Sequence, residues 1–427
     1  MYKYTDYFQE YGRIMQFNKN KIESIHRWYP FVEGYSKEFI NSILDEMNRD
    51  SLVCLEPFSG SGTTALELQN NNIICYSFEI NPLMYLIASV KLEKEYDIPE
   101  AKMWFQYILD NRNKIQIKDM HSDFSTLYEG EGKSKWNYNL EVAKAIKKLE
   151  NTINTIENEI YRELFLVGLA AILLDVSNLY RNGKCLSYKK NWREIIITEK
   201  EVFEKFDNKI RNEILVDLSN LSKTNKINNK RNLFNEDSRI GIENKIKDES
   251  IDLVITSPPY LNSRDYTDTY MLELRTLNLT KNSNEVRELR KKTLRSHVQI
   301  KWQDNAEINN ELLEKTLVEL QKATERERVW NKSILDMIRL YFVDMKTIFK
   351  VIYKKLKKEG RVYFNVSNSA YFNILINTLE ICASIAEEEG FIVKEIRKAR
   401  NLRTSPQQQK KIGKLLEGVI VLEKGGM

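Results

Sequence analysis

The residues best suited to chemistry form a corner at the end of an apolar run. Residues 251–260, IDLVITSPPY, place a serine, two prolines and a tyrosine directly after a predicted buried strand. Pro258 and Pro259 have a fixed φ and no N–H, so the backbone there presents carbonyl acceptors in a nearly fixed direction. The Ser257 hydroxyl can accept or donate, and the Tyr260 ring offers a flat face. Such a corner suits a planar amine, while a Pro-Pro turn that only ends a strand is the simpler alternative.

A glycine-containing turn follows an earlier apolar run. Residues 56–65, EPFSGSGTTA, lie between a predicted strand and a predicted helix. Read as Gly60-x-Gly62-x-x-Ala65, the stretch fits a dinucleotide fingerprint, with Glu79 at the end of the next strand as an acceptor for a ribose hydroxyl. Because no lysine follows the last glycine, the turn is not a phosphate-binding P-loop. Ordinary turn chemistry is the alternative for the glycines, and a solvated carboxylate is the alternative for Glu79.

The elements that must position these residues predict an α/β fold. Near-continuous apolar strands are predicted at residues 51–55, 73–78, 251–256, 361–366, 391–396 and 418–422. Strands of this kind belong to a mostly parallel sheet covered by helices on both faces. The glycine turn then lies where such a sheet binds ligands, just beyond the carboxyl end of a strand.

Two helical insertions interrupt the strand pattern. The first runs from about residue 99 to 230, and its apolar residues between Leu140 and Ile160 recur at spacings of three and four. The second covers about 271–331, and its first half is basic. Neither insertion carries a motif that identifies a region reading a nucleic-acid sequence.

The composition excludes several classes of protein. The net charge of +5, from 66 basic and 61 acidic side chains, is too small to identify a polyanion partner. The four cysteines form no CxxC pair and only three histidines are present, so neither a zinc site nor a disulfide framework is predicted, and a reducing cytoplasm fits. The longest apolar run, residues 164–176, is shorter than the roughly 20 residues of a spanning helix.

Three motifs in this order resemble those of S-adenosylmethionine-dependent DNA amino-methyltransferases. EPFSGSGTT is similar to the cofactor-binding motif of that family, FEINP to its ribose-binding acidic motif, and TSPPY to its catalytic motif. In the stretch leading to TSPPY, Asp237 falls where such enzymes hold the cofactor adenine or its amino group. Residues 25–36, IHRWYPFVEGYS, are similar to the segment that closes over the methionine end of the cofactor.

The resemblance implies a Rossmann-like class I methyltransferase fold and the residues of its site. The catalytic residues would be Ser257, Pro258, Pro259 and Tyr260. The S-adenosylmethionine-binding residues would be Glu56, Phe58, Ser59, Gly60, Gly62, Thr63, Glu79, Ile80, Asp237 and Tyr29. The implied organisation is a core with two insertions: closing segment and first half of the core, 1–98; first helical insertion and candidate DNA-recognition region, 99–230; core with the catalytic motif, 231–270; basic helical insertion and candidate DNA contact, 271–331; second half of the core, 332–427.

The target of such an enzyme would be an amino group on a base flipped out of double-stranded DNA. In this family a serine before the two prolines is associated with cytosine-N4 methylation, and Asp or Asn with adenine-N6, so adenine is the alternative. Phosphate contacts would come from basic residues after the corner, with a solvated helix face as the alternative: Arg264, Arg287, Arg290, Lys291, Lys292 and Arg295. A second basic segment, residues 394–411 with Arg400, could line the same cleft.

Other functions use the same kinds of motif. Methylation of an RNA base or of a protein amide uses the same kind of corner, and a nicotinamide-dependent dehydrogenase uses the same kind of glycine turn. A non-catalytic DNA-binding protein would need neither motif intact. For a DNA methyltransferase the resemblance implies a restriction-modification or phage-defence context, with a restriction endonuclease or defence-system subunit as a further partner.

Overall fold

The strands were located in a computed structural model that describes residues 2–48, 51–117, 120–182, 185–221, 226–261, 265–302, 304, 306–326, 331, 333–404 and 409–425. They are β1 Tyr4–Asp6, β2 Val53–Glu56, β3 Ile74–Phe78, β4 Leu179–Asn182, β5 Cys185–Tyr188, β6 Leu233–Phe234, β7 Ile251–Thr256, β8 Leu356–Ser367, β9 Ser369–Tyr371, β10 Ile374–Ile376, β11 Phe391–Arg403 and β12 Lys414–Lys424. Each of the six predicted strands has a counterpart, and the last three are longer than predicted.

Helices fill most of the chain between the strands. They are α1 Phe8–Tyr11, α2 Lys37–Met47, α3 Thr63–Asn70, α4 Pro82–Leu92, α5 Ile98–Asn111, α6 Leu140–Asn154, α7 Glu159–Leu173, α8 Glu199–Lys209, α9 Leu215–Ser219, α10 Ser238–Lys245, α11 Tyr266–Thr269, α12 Met271–Thr276, α13 Ser283–Lys292, α14 Glu311–Arg326, α15 Ile334–Lys355, α16 Thr378–Glu388 and α17 Gln409–Ile412. The periodic pattern from Leu140 to Ile160 is divided between α6 and α7, because Asn158 caps a new helix.

The strands form a doubly wound sheet in the order β1-β11-β12-β8-β7-β2-β3-β6. Within it β6, β3, β2, β7 and β8 run parallel, and β12 is antiparallel to both of its neighbours. From β2 the chain first builds outward through β3 and β6, then returns to the other side of β2 with β7. This order confirms the predicted Rossmann-like α/β fold and creates a switch point between β2 and β7.

Side chains of the central strands alternate between two buried apolar clusters. In β2, Cys54 joins one cluster and Leu55 the other, and in β12 Val419 and Ile420 divide in the same way. The first cluster contains side chains of α2 to α4 and of α6 to α8, and the second contains side chains of α10 and α14 to α16. The sheet is therefore covered on both faces, as its apolar strands predict.

The first insertion is not purely helical. It contributes α5 to α9 and also a separate two-stranded ribbon of β4 and β5. The short strands β1, β6, β9 and β10 were also not predicted, because two or three residues are too few to show an alternation of apolar and polar side chains. Throughout the described ranges, the helices are too short or too polar to cross a bilayer.

Candidate active site

A cavity of about 400 Å³ lies at the carboxyl ends of the parallel strands. Its walls come from the turns after β2, β3 and β7 and from the ends of β8 and β11 and the start of β12. Residues 31–35 of the N-terminal region and residues 289–297 of the second insertion also contribute side chains to it. The cavity occupies the switch point between β2 and β7, where open α/β sheets bind their ligands. The glycine turn and the Pro-Pro corner therefore face the same space.

The glycine turn has a backbone that only glycine adopts readily. Gly60 and Gly62 have φ values of 53° and 83°. A Cβ on Gly62 would lie 3.0 Å from the Cβ of Ala88 in α4, and a Cβ on Gly60 would lie 3.2 Å from the Phe31 ring. The Gly60 N–H donates to Glu79 Oε2 at 2.7 Å, which joins the turn after β2 to the end of β3. Gly62 thus packs against α4, and Gly60 lines the cavity.

Glu79 lies directly after β3 and faces the cavity. Its Oε1 accepts the N–H of Asn81 at 2.8 Å, and its Oε2 accepts that of Gly60. Burial raises the pKa of Glu79 to about 7 against the opposing effect of these bonds. Beside it, Ser59 Oγ and Asn81 Nδ2 are buried and lack a hydrogen-bond partner within the described ranges. Buried polar atoms of this kind fit a ligand that is itself rich in hydroxyl groups.

The Pro-Pro corner contributes Ser257, Pro258, Pro259 and Tyr260 to the cavity lining. The Tyr260 hydroxyl donates to Glu417 Oε1 at 2.6 Å and accepts from Asn365 Nδ2 at 2.6 Å. Ser257 Oγ donates to the same hydroxyl at 3.2 Å. Burial, followed by the Glu417 carboxylate, raises the pKa of Tyr260 well above its usual value, so the phenol stays protonated.

Asp237 caps the N-terminus of α10 at a third side of the cavity. Its carboxylate accepts a hydrogen bond from the backbone N–H of Arg239 at 3.0 Å. It also forms an ion pair with the guanidinium of Arg239 at 2.6 Å. Arg239 also binds the buried Asp344 of α15 at 2.7 Å. These bonds fix the Asp237 carboxylate at the cavity edge.

Comparison with known proteins identifies relatives over nearly the whole chain, although no family model matches it. The Type II methyltransferase M.BsoBI of Geobacillus stearothermophilus is 27% identical over 96% of this chain and 88% of its own length. The Type II methyltransferase M.AvaI of Anabaena variabilis is 27% identical over 90% of this chain and 82% of its own length. The chain is a homologue of type II DNA methyltransferases.

Two further similarities are weaker. The Type II methyltransferase M.MvaI of Kocuria varians is 26% identical over 58% of this chain and 55% of its own length. A solved methyltransferase structure from Galdieria sulphuraria aligns with 91% of this chain and 85% of that chain, at a TM-score of 0.30 and 9% identity. The fold assignment rests on the strand order and the parallel pairing of the sheet.

The cavity contains most of the residues predicted to bind cofactor. Those that line it are Phe58, Ser59, Gly60, Thr63, Glu79, Ile80 and Asp237. Glu56 instead lies behind the wall, 1% exposed, and accepts hydrogen bonds from Tyr35, Thr64, Thr256 and the Phe58 N–H. Burial raises its pKa to about 7. Glu56 therefore positions residues of the wall and does not face the cavity.

Tyr29 is also placed differently from the prediction. Its side chain is fully buried, and its hydroxyl donates to Glu273 Oε1 at 2.8 Å. Arg181 of the first insertion binds the same Glu273 oxygen at 2.8 Å. Tyr29 thus joins the N-terminal segment to both insertions, and its neighbours at residues 31–35 line the cavity.

The basic segment of the second insertion has both inward-facing and outward-facing side chains. Arg290 forms ion pairs with Asp265 and Asp268, and the buried Arg295 binds Asp344 and Asp304. Arg290 and Arg295 therefore bind carboxylates within the protein, in place of the DNA phosphates that were predicted as their partners. The exposed residues are Arg287, Lys291 and Lys292, of which Lys292 also reaches the cavity. Arg264 lies outside the described residues.

Two polar residues of this site had no role predicted from the sequence. Asn365 of β8 and Glu417 of β12 line the cavity and contact the Pro-Pro corner. Both occur within apolar strands, and no motif marks them. A buried polar residue near the end of a predicted strand was the one signal available.

Proposed function

We propose that the protein is a site-specific DNA methyltransferase that transfers a methyl group from S-adenosylmethionine to N4 of a flipped cytosine. The observation that carries the proposal is that the Pro-Pro corner and the glycine turn with Glu79 line one cavity. A donor bound at the turn would lie beside an amine bound at the corner. Homology to type II DNA methyltransferases supports DNA as the substrate.

The cavity residues of the turn fit S-adenosylmethionine, which when bound supplies an electrophilic methyl group. The Glu79 carboxylate would accept ribose hydroxyls, and the unpartnered Ser59 and Asn81 atoms lie beside it. Asp237 would accept the adenine amino group. The N-terminal residues 31–35 would cover the opposite side of the cofactor. Charge-assisted bonds to carboxylates would hold both ends of the nucleoside.

The corner is suited to an exocyclic amine. The lone pair of such a nitrogen is delocalised into the ring, so it attacks poorly unless both amino hydrogens are held out of the plane of the base. The rigid carbonyls at Pro258 and Pro259 are acceptors for this purpose, because neither proline can rotate about φ. Ser257 adds a second hydrogen-bonding group, and the Tyr260 ring supports the base by stacking. Catalysis would come from positioning and fixed dipoles, with no covalent intermediate.

Cytosine is the proposed base because Ser257 stands in the first position of the motif. Adenine-N6 methylation is the alternative, since the same corner holds any amino group on a planar ring. Double-stranded DNA would be bound through exposed basic side chains such as Arg287 and Lys291, which supply the affinity that base flipping requires. A restriction endonuclease or defence-system subunit belongs to the proposed context as a partner.

Other functions explain fewer of the cavity residues. A nicotinamide-dependent dehydrogenase would use the glycine turn and Glu79 but leave the corner without a function. An RNA or protein amine methyltransferase would use both. Titration with S-adenosylhomocysteine and with NAD distinguishes the dehydrogenase, because we expect saturable binding of the first ligand only.

The decisive experiment uses labelled S-adenosylmethionine. The protein is incubated with unmethylated genomic DNA, with RNA and with protein extract, and the DNA is then hydrolysed to nucleosides for mass analysis. We expect label in N4-methylcytosine. Label in N6-methyladenine would overturn the choice of base, and label only in RNA or protein would overturn the substrate class. The Tyr260→Ala variant, purified in the same way, controls for methyltransferases of the expression host.

A further inference from the structure

A polar cluster connects the corner to the last strands of the sheet. Asn365 Nδ2 donates to Ser257 Oγ at 3.3 Å, to Tyr260 Oη at 2.6 Å and to Glu417 Oε1 at 3.2 Å. Glu417 in turn forms an ion pair with Nε of Arg400 in β11. All five side chains line the cavity. The cluster therefore forms the wall that the polar edge of a base at the corner would meet.

Two side chains of this wall have polar atoms that remain available to a ligand. Asn365 Oδ1 is buried and has no partner within the described ranges. Arg400 uses Nε for Glu417, whereas Nη1 and Nη2 have no hydrogen-bond partner among the described residues. The Arg400 side chain keeps 26% of its surface exposed. The wall thus offers an unused acceptor next to unused donors.

We propose that Asn365 and Arg400 read the edge of the flipped cytosine, an inference that rests on the proposed function. Cytosine presents its N4 amino group as a donor, followed by N3 and O2 as acceptors. Asn365 Oδ1 accepts one amino hydrogen while a carbonyl of the Pro-Pro corner accepts the other, and the Arg400 guanidinium, held in place by Glu417, donates to O2. Arg400 is then a specificity-determining residue. Adenine presents a C–H where cytosine presents O2, so it leaves the guanidinium without an acceptor.

A simpler role for Arg400 is to neutralise the buried Glu417 carboxylate. That role predicts that loss of Arg400 slows methylation of every base equally. The proposed role predicts instead that the loss depends on the atom at position 2 of the target base. Sulfur is a much weaker hydrogen-bond acceptor than a carbonyl oxygen, so 2-thiocytosine is the matched substrate.

The test compares two substrates and two enzymes. The recognition sequence is first identified by sequencing DNA that the parent enzyme has methylated. Synthetic duplexes of that sequence are then made with either cytosine or 2-thiocytosine at the target position. For the parent enzyme we expect kcat/KM to fall about 10- to 100-fold on 2-thiocytosine, the scale of one hydrogen bond to a charged group. The Arg400→Met variant should be slow on cytosine and should lose almost nothing more on 2-thiocytosine.

Several outcomes would overturn the inference. A parent enzyme that methylates both duplexes equally, or an Arg400→Met variant that keeps the full preference for oxygen, contradicts it. If the variant does not fold, as judged by loss of S-adenosylhomocysteine binding, the parent comparison still decides. Methyl label in adenine overturns the inference while leaving DNA amino-methylation intact. No label in DNA overturns the proposed function itself.

Discussion

The two sides of the cavity differ in how far apart their residues lie in the sequence. The turn half, residues 57–64 and 78–81, comes from one β2-α3-β3 unit, and its central bond joins residues 19 positions apart. The corner half, residues 257–260 with Asn365, Arg400 and Glu417, is assembled from β7, β8, β11 and β12. Its hydrogen bond from Tyr260 to Glu417 spans 157 positions.

The turn half is therefore formed within one short stretch of chain, whereas the corner half requires the assembled sheet. The turn half depends on two glycines with positive φ and one carboxylate, and these are set within a short stretch. The corner half exists only when the late strands are paired in register, since β12 brings Glu417 opposite Ser367 of β8. We therefore expect the turn half to govern cofactor binding and the corner half to govern catalysis and substrate choice.

The largest predicted effect tests whether the halves are separable. Tyr260→Ala removes the stacking face of the corner and its bond to Glu417, so kcat for DNA methylation should fall about 100- to 1,000-fold. The dissociation constant for S-adenosylhomocysteine, measured by calorimetry, should stay within about twofold because the turn half is untouched. Tyr260→Phe keeps the ring and is the matched control, with a loss of about tenfold. A large loss of cofactor affinity in Tyr260→Ala would show that the halves are not independent.

The second prediction concerns the stability that the second insertion contributes beside the cavity. Arg295→Ala removes one of two guanidinium groups that bind the buried Asp344, while Arg239 keeps the other contact. Breaking a buried ion pair outright costs about 3–5 kcal/mol. With Arg239 retained, we expect the free energy of unfolding to fall by about 2 kcal/mol, measured as a lower urea midpoint.

The exposed Arg287 of the same segment provides the control for this loss. Arg287→Ala should shift the urea midpoint very little, because exposed substitutions change stability by about 0.5 kcal/mol or less. Equal midpoints for Arg295→Ala and the parent would mean that the insertion contributes nothing to the core.

The same difference explains how much could be predicted from the sequence. The apolar strands and the helices between them predicted an α/β sheet covered on both faces by helices, because continuous apolar runs and helical spacing are local signals. The residues of the turn half and the corner itself were identified because each lies in a contiguous motif. Strand order, in contrast, depends on which late strand pairs with which, and no local signal fixed the position of β12 between β8 and β11.

Side-chain direction could not be predicted in the same way. Glu56 ends β2 and Glu79 directly follows β3, yet the Glu56 side chain lies behind the wall and that of Glu79 faces the cavity. Arg287 and Arg295 lie in one basic run, but only Arg287 is exposed, because Asp344 arrives from a distant helix to bind Arg295. The sequence shows which side chains are charged, but their ion-pair partners depend on tertiary packing.

The third prediction is that cofactor affinity depends on pH, because the pKa of Glu79 is raised to about 7. In the proposed complex ribose hydroxyls donate to the ionised carboxylate, so we expect cofactor binding to favour the deprotonated form. Below pH 7 a proton must be released first, and affinity for S-adenosylhomocysteine should fall by up to about tenfold per pH unit. Above pH 8 the affinity should be constant. Calorimetric titrations between pH 5.5 and 8.5 measure this profile.

A matched variant assigns the pH dependence to one residue. Burial also raises the pKa of Glu56 to about 7, but Glu56 does not face the cavity. Glu79→Gln should bind the cofactor more weakly at pH 8 and show a nearly flat profile. A variant that retained the slope of the parent would assign the titration to another group, and a flat profile in the parent would remove Glu79 from cofactor binding.

The smallest predicted effect asks whether the basic segment beside the corner half contacts DNA. Arg287→Ala should raise KM for DNA about two- to threefold near 0.1 M salt and reduce the slope of log affinity against log salt by about one, the signature of one lost phosphate contact. Lys322→Ala is the matched control, because Lys322 is exposed on α14, a helix that contributes no residue to the cavity lining. The cofactor dissociation constant should be unchanged in both variants. If both raise KM equally, the effect reflects net charge, and the contact surface for DNA lies elsewhere on the corner half.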